Sequence, residues 1–396
     1  MKHHFFAVLL AFCVANAHAA ADAPQSAPPK ATAPVAAAPQ QPTPPPPTST
    51  ARAYLLQDFY SGEVLAESNA DVRMEPASLT KLMTAYAVFK ALGAGKMQLA
   101  DKITVSEKAW RTGGSRSFVQ VGTQVSVEDL LKGMIVQSGN DATVALAEHV
   151  AGSEEGFAAL MNQYAKELGM EHSHFTNSTG LPDPELYITA RDMGKLARAM
   201  IREFPEYYKW YSLKEFAYNG IKQYNRNKLL WRDGNVDGIK TGHTESAGYC
   251  LVASAQRDGM RLISVVLGTK SENVRADESQ ALLNYGFRTY ETQRLYAAAT
   301  PLSTVRVWKG ASPSLALGIG EDLYITVPRG QYQNLKAAME IEKSVIAPAR
   351  KGATHGVVKI SLNDKVLLTR PLIALQDVAQ GSWWRRLIDT IKLWFS

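Results

Sequence analysis

Stretches of helical and of strand periodicity are segregated along this chain. The run 79–92 has strong helix formers and no internal Pro or Gly, and helical spacing recurs over 127–134 and 141–150. Residues 249–255 and 260–267 are instead apolar and β-rich, and Arg257-Asp258-Gly259 between them is a hairpin signal. A helix-like run follows from Arg275 to about Tyr296. Beyond it the pattern alternates, at Val305 and Val307, at Leu323, Ile325 and Val327, and at Leu335, Ala337, Met339 and Ile341. Further β-like runs cover 357–362, 366–368 and 372–375, so a small β-sandwich of about 75 residues is predicted. The fold class is therefore α/β (α+β), with a second, small all-β domain.

The last segment is amphipathic. On a helical wheel Trp383, Trp384, Leu387, Ile388, Ile391, Trp394 and Phe395 share one side, opposite Arg385, Asp389, Lys392 and Ser396. Such a helix is about 20 Å long, too short for a bilayer core of roughly 30 Å, and it carries charges. Its tryptophans and basic residues suit the headgroup region, so peripheral membrane contact is expected.

The N-terminus begins with Lys2, His3 and His4, continues with an apolar stretch over 5–14, and reaches Ala17-His18-Ala19. This is the pattern of a secretory signal, so export is expected. Phe12 stands where a lipid-attachment site at Cys13 needs a small residue. Cleavage after Ala19 leaves Cys250 as the only cysteine, which excludes an internal disulfide and suits a small core residue. The following stretch, to Thr50, contains ten of the nineteen prolines and reads as an extended, mobile spacer. Five units are thus expected: a signal peptide 1–19, a spacer 20–50, a catalytic domain 51–297, a β-rich domain 298–377 and an anchoring helix 378–396.

A net charge of +6 suits an anionic surface, but no basic patch is interleaved with stacking aromatics, so nucleic acid is not an expected partner. No His, Cys or carboxylate cluster in the β-rich part has metal-ligand spacing, and His172 and His174 lie in a polar loop. Neither metal nor cofactor is expected.

Three motifs carry chemistry: Ser78-Leu79-Thr80-Lys81, Ser138-Gly139-Asn140 and Lys240-Thr241-Gly242. An S-x-x-K pattern should arise by chance roughly once in a chain this long, but here it occurs once, K-T-G occurs once, and Ser138 opens the only S-x-N between them. Ser78 stands at a helix start, where free N–H groups favour developing negative charge. Lys81 lies one turn on, on the same face, and can reach the Ser78 hydroxyl. A lysine acts as base only when neutral, and burial beside a second cation, for which Lys240 is the candidate, lowers its pKa. Ser138 and Asn140 lie in a polar break between helices, suited to relaying a proton and holding a substrate amide; capping of the following helix is the alternative. Lys240 and Thr241, on an edge strand beside Ser78, would meet a substrate carboxylate, and Gly242 would allow close approach.

The segments Glu75-Pro76-Ala77-Ser78-Leu79-Thr80-Lys81, Gln137-Ser138-Gly139-Asn140-Asp141-Ala142, Asp237-Gly238-Ile239-Lys240-Thr241-Gly242-His243-Thr244, Thr189-Ala190-Arg191-Asp192-Met193 and Asn225-Arg226-Asn227 together resemble the low-molecular-weight penicillin-binding proteins of the D-alanyl-D-alanine carboxypeptidase type, from about Ala53 to the C-terminus. The resemblance implies a penicilloyl-serine transferase (β-lactamase-like) catalytic domain and a structural β-rich domain. It implies an acyl group carried on Ser78, Lys81 as base, and the terminal carboxylate held by Lys240 with help from Arg275. The N–H groups of Ser78 and His243 would form the oxyanion hole, and Arg226 matches a further arginine near the site. Substrate would be the D-Ala-D-Ala end of a peptidoglycan pentapeptide, β-lactams would be covalent inhibitors, and the protein would act at the periplasmic face of the inner membrane.

Three rival readings remain. A β-lactamase shares the motifs, but its Glu-Pro-Glu-Leu-Asn pattern reads Asp183-Pro184-Glu185-Leu186-Tyr187 here. A D,D-endopeptidase or transpeptidase would use the same site on cross-linked peptide. A non-catalytic wall-binding scaffold would not need the serine, both lysines and the asparagine.

Overall fold

The computed structural model describes residues 43–394; the expected signal peptide, most of the spacer, Phe395 and Ser396 lie outside the described residues. Strands β1 (Ala53–Asp58) and β2 (Val64–Ser68) open an antiparallel sheet. A 3-10 turn, Ala77–Leu79, leads into α1 (Thr80–Gly93). A helical lobe follows: the ribbon of β3 (Lys102–Thr104) and β4 (Gln124–Ser126), with α2 (Glu107–Arg111), α3 (Val127–Val136), α4 (Asn140–Ala151), α5 (Glu154–Glu167), α6 (Ala190–Glu203) and α7 (Pro205–Tyr208). Next come a ribbon of β5 (Glu215–Tyr218) and β6 (Ile221–Tyr224) and the turn α8 (Leu229–Arg232). Then β7 (Val236–Thr244), β8 (Gly248–Arg257) and β9 (Met260–Thr269) complete a five-stranded sheet in the order β2-β1-β9-β8-β7. Helix α9 (Glu272–Thr289) closes this part.

The apolar runs 249–255 and 260–267 are continuous because both faces of the sheet are covered. Cys250, Val252, Ile263, Val265 and Leu267 join the lobe core with Leu82, Phe89 and Leu146. Leu251, Ala253, Leu262 and Val266 instead pack on Leu282, Leu283 and Phe287 of α9. The hairpin forms at Asp258 and Gly259, both at positive φ, between paired Arg257 and Met260.

The helix expected to run to about Tyr296 stops at Thr289. Residues Tyr290–Tyr296 form β10, antiparallel to β13 (Leu323–Pro328). Tyr290 and Thr292 favour the pleat, and β13 satisfies backbone groups that a longer helix would have paired internally. The β-rich part adds β11 (Ser303–Trp308), β12 (Ser314–Gly318), β14 (Leu335–Ile341), β15 (Val345–Ile346), β16 (Thr354–Leu362) and β17 (Lys365–Ala374). Six of these strands form a sheet ordered β14-β16-β17-β12-β11-β15, and the β10–β13 ribbon packs Leu295 and Leu323 against its Val358, Ile360 and Leu372. The two runs at 366–368 and 372–375 belong to one strand, and β12 carries no alternation long enough to announce it in the sequence.

Two terminal segments behave unlike free tails. Residues 43–50, expected to belong to the mobile spacer, follow α9: the Tyr285 hydroxyl donates to Pro44 O (2.9 Å), and Glu278 accepts from Ser49 Oγ, Thr50 N and Thr50 Oγ1 at 2.6–2.8 Å. At the other end α10 (Trp383–Leu393) turns its polar side inward. Asp389 is 7 % exposed, accepts from Lys309 N (2.6 Å) and pairs with Arg306 (3.7 Å). Its apolar stripe of Trp383, Trp384, Leu387, Ile388 and Ile391 is 47–59 % exposed. No helix among the described residues is long and apolar enough to cross a membrane.

Candidate active site

Edge strand β7 passes the 3-10 turn that carries Ser78, and this packing sets the site. A Cβ at Gly242 would lie 2.9 Å from Pro76 O and 3.3 Å from Leu79 N, so the glycine lets the strand approach the serine's own turn. From the helix start, Lys81 Nζ reaches Ser78 Oγ at 3.1 Å and donates to Thr179 O at 2.6 Å. Burial pushes the Lys81 amine down to about 7, with Arg226 lowering it further and Asp141 opposing. Arg226 thus joins the expected Lys240 as a cation beside Lys81, the two buried lysines acting on each other. Lys240 is itself pushed well below the usual lysine range, first by burial, then by Lys81, Arg226 and Arg275. An entering carboxylate would favour its charged form.

Ser138 bridges to the second lysine: its Oγ accepts from Lys240 Nζ at 2.9 Å, and its backbone is left-handed (φ 66°). The helix-capping alternative fails for both polar residues. Gly139 is the N-cap of α4, and Asn140 lies already inside the helix. Asn140 Nδ2 donates to Gly113 O (2.6 Å), whereas its Oδ1 is buried without a partner, an acceptor available to a substrate amide. Buried Asp141 accepts from Ser117 N (2.7 Å) and Val119 N (3.2 Å), which holds this loop against the helix start.

An open cavity of about 200 Å³ lies over these groups. Ser78, Ser138, Arg226, Thr241, Gly242, His243 and Arg275 line it, joined by Ser115, Tyr249 and Glu272; Lys81, Lys240 and Asn140 are buried. All ten residues singled out in the sequence are therefore accounted for at or beside one cleft. Arg275 donates to Gly242 O (3.2 Å) and to Glu272 (3.1 Å), and His243 stacks on Tyr249 with centroids 3.9 Å apart. The asparagines flanking Arg226 are staples: Asn227 donates to Gly238 O (2.9 Å) and Asn225 to Leu213 O (2.9 Å).

Sequence reasoning missed Thr179 and Gly180. Thr179 supplies the carbonyl that orients Lys81, and a Cβ on Gly180 would fall 1.8 Å from Ala77 O. Their one signal was the turn-forming run Asn177-Ser178-Thr179-Gly180. Asp183 and Glu185, by contrast, stay outside the cavity lining: Asp183 caps Glu185 N (2.9 Å), and Glu185 is exposed.

Comparison with known proteins agrees with this geometry. Residues 38–271 match the D-alanyl-D-alanine carboxypeptidase family (peptidase S11), and residues 290–380 match the penicillin-binding protein 5 C-terminal domain. The D-alanyl-D-alanine carboxypeptidase DacC of Escherichia coli (strain K12) is 48% identical over 87% of this chain and 88% of its own length. The crystal structure of penicillin binding protein 5 from Haemophilus influenzae superposes with a TM-score of 0.81 at 45% identity, covering 85% of this chain and 99% of that one. Penicillin-binding protein D2 from Listeria monocytogenes, solved in the ampicillin-bound form, is 32% identical with a TM-score of 0.57, covering 61% of this chain and 100% of its own. With Ser78 beside a lysine of depressed basicity and both matched regions in order, the chain belongs to the D-alanyl-D-alanine carboxypeptidase family and is a serine hydrolase of the penicillin-binding type.

Proposed function

We propose that Ser78 attacks the amide before the terminal D-alanine of a peptidoglycan pentapeptide. The observation that carries this reading is the 3.1 Å approach of a buried Lys81, lowered to about 7, to Ser78 Oγ. Neutral Lys81 takes the hydroxyl proton as the Ser78 Oγ–carbonyl bond forms. The oxyanion meets the N–H groups of Ser78 and His243. Ser138, linked to Lys240, passes a proton to the leaving nitrogen, and Asn140 Oδ1 accepts from the substrate amide. Lys240, Thr241 and Arg275 hold the departing residue's carboxylate, with Arg226 contributing positive field. Water then hydrolyses the acyl-serine, leaving a tetrapeptide that can no longer donate a cross-link. A β-lactam presents the same amide and carboxylate, so it acylates Ser78, in line with the ampicillin-bound Listeria relative.

The division into a signal peptide 1–19, a spacer 20–50, a catalytic domain 51–297, a β-rich stalk 298–377 and a helix 378–396 accompanies this reading. The exposed tryptophan stripe of α10 supports peripheral attachment to a membrane surface, and export would make that the periplasmic face of the inner membrane. The withdrawal of Asp183 and Glu185 from the cavity argues against a class A type of deacylation. Incubation with a pentapeptide ending in D-Ala-D-Ala, scored against a cross-linked dimer, tests the proposal. D-alanine release should dominate and vanish in Ser78→Ala. Faster dimer cleavage would make the protein an endopeptidase, and activity persisting in Ser78→Ala would overturn the mechanism.

A further inference from the structure

A second cavity, of about 250 Å³, lies where the catalytic and β-rich parts meet, and it shares no lining residue with the Ser78 cleft. Arg198 of α6 reaches it half-buried, donating from Nε to Phe59 O (2.6 Å) and from Nη2 to Tyr60 O (2.8 Å). The guanidinium lies against Gly62, where a Cβ would fall 3.2 Å from Nη1 and 3.3 Å from Cζ, and Nη1 has no hydrogen-bond partner among the described residues. Across the cavity stands Arg370 of β17, whose guanidinium donates only to Thr369 O (3.2 Å). Arg202 borders an adjoining cavity that also contains Arg198. Neither Arg198 nor Arg370 is in an ion pair with a carboxylate among the described residues; Arg202 and Arg370 repel the Arg198 charge, and Asp58 and Glu321 attract it from beyond ion-pair distance.

The acidic groups nearby do little to neutralise these cations. Asp322 is engaged by Arg294 (3.1 Å) and Ala298 N (2.8 Å). Buried Asp58 is taken up by Ser61 N (2.7 Å) and Thr292 Oγ1 (2.7 Å), and burial raises its pKa against those hydrogen bonds. Glu321 is the one remaining carboxylate on the wall, against Arg198 and Arg370; Arg202 has Glu203 at 3.9 Å. Tyr60 and Tyr324, one from each part, stack at 4.7 Å beside them. Guanidinium groups gathered in a semi-enclosed cavity at a domain junction are suited to charge-assisted, often bidentate, capture of an oxyanion.

We propose that this junction cavity binds an oxyanion, a phosphate or carboxylate group, between Arg198 and Arg370. Because its walls come from both parts, an occupant would bind the docked arrangement and stabilise it. The group could be a free anion or one carried by wall polymer.

Calorimetric titration of the full chain with inorganic phosphate, at ionic strength held constant with chloride, tests the site. Arg370→Glu and Arg202→Glu alter exposed side chains outside the catalytic machinery, so D-alanine release should be unchanged in both. Saturable phosphate binding in the wild type should weaken about tenfold or more in Arg370→Glu, equivalent to ~1.4 kcal/mol, and less in Arg202→Glu. A melting temperature that rises with phosphate in the wild type and not in Arg370→Glu would support the same conclusion. A soluble disaccharide-tetrapeptide that displaces phosphate would identify a polymer-borne carboxylate, and one that does not would leave the free anion as the ligand. Absence of saturable phosphate binding, or equal affinity in the wild type and Arg370→Glu, would overturn the proposal.

Discussion

The coupling of Arg226 to Lys81 predicts a displaced pH profile. Lys81 falls from 10.5 to about 7 mainly through burial, with the Arg226 field second. Arg226→Gln removes that field at an exposed position and leaves the burial intact. The base should then regain about one pH unit, ~1.4 kcal/mol, a shift ordinary for loss of one neighbouring charge. Only neutral lysine accepts the Ser78 proton, so acylation rises with pH through the Lys81 pKa. At pH 7 the neutral fraction would drop from about one half to about one tenth, and acylation would slow about fivefold; near pH 9 the two proteins should nearly coincide. Stopped-flow acylation by saturating penicillin across this range measures the midpoint and keeps weaker capture from counting. Equal midpoints in the two proteins would refute the Arg226 coupling, and a rate flat across the neutral range would refute the assignment of Lys81 as a burial-tuned base.

Gly180→Ala forces a side chain onto a residue at φ 84° and a Cβ to within 1.8 Å of Ala77 O, so the turn bearing Ser78 must shift. A loss of roughly 2–4 kcal/mol in stability and near-complete loss of acylation should follow, and wild-type acylation in a folded variant would show that the Thr179–Gly180 loop does not position the serine. Deleting residues 381–396 should abolish co-sedimentation with anionic vesicles while D-alanine release from soluble peptide persists, because α10 is bonded to Arg306, Lys309 and Ala311 of the β-rich part; a truncated protein that still sediments would place membrane affinity elsewhere.

The sequence by itself determined the chemistry that depends on local spacing. Ser78 and Lys81 lie one helical turn apart, so their contact follows from helix geometry once the run 79–92 is recognised. The hairpin at Asp258-Gly259 and the two-sided burial of 249–255 and 260–267 were legible for the same reason: a turn dipeptide and an unbroken apolar run each have few structural solutions. The convergence of three distant motifs on one cleft could be anticipated through resemblance, since spacing alone says nothing about contacts across a hundred residues.

Tertiary structure decided what depends on which surfaces meet. Tyr290–Tyr296 became a strand because β13 offered backbone partners, which a local helical pattern cannot register. Arg226, fourteen positions before Lys240 and far from Lys81 in sequence, became a neighbouring cation only when Asn227 fastened it beside β7. Gly242 and Gly180 are required by close backbone approaches that exist only in the folded chain. The wheel of α10 defined two faces without saying which one the protein would cover. The structure buries Asp389 against Lys309 and Arg306 and leaves the tryptophans outward, because a carboxylate with a backbone donor and a guanidinium waiting for it can be taken out of water on that side.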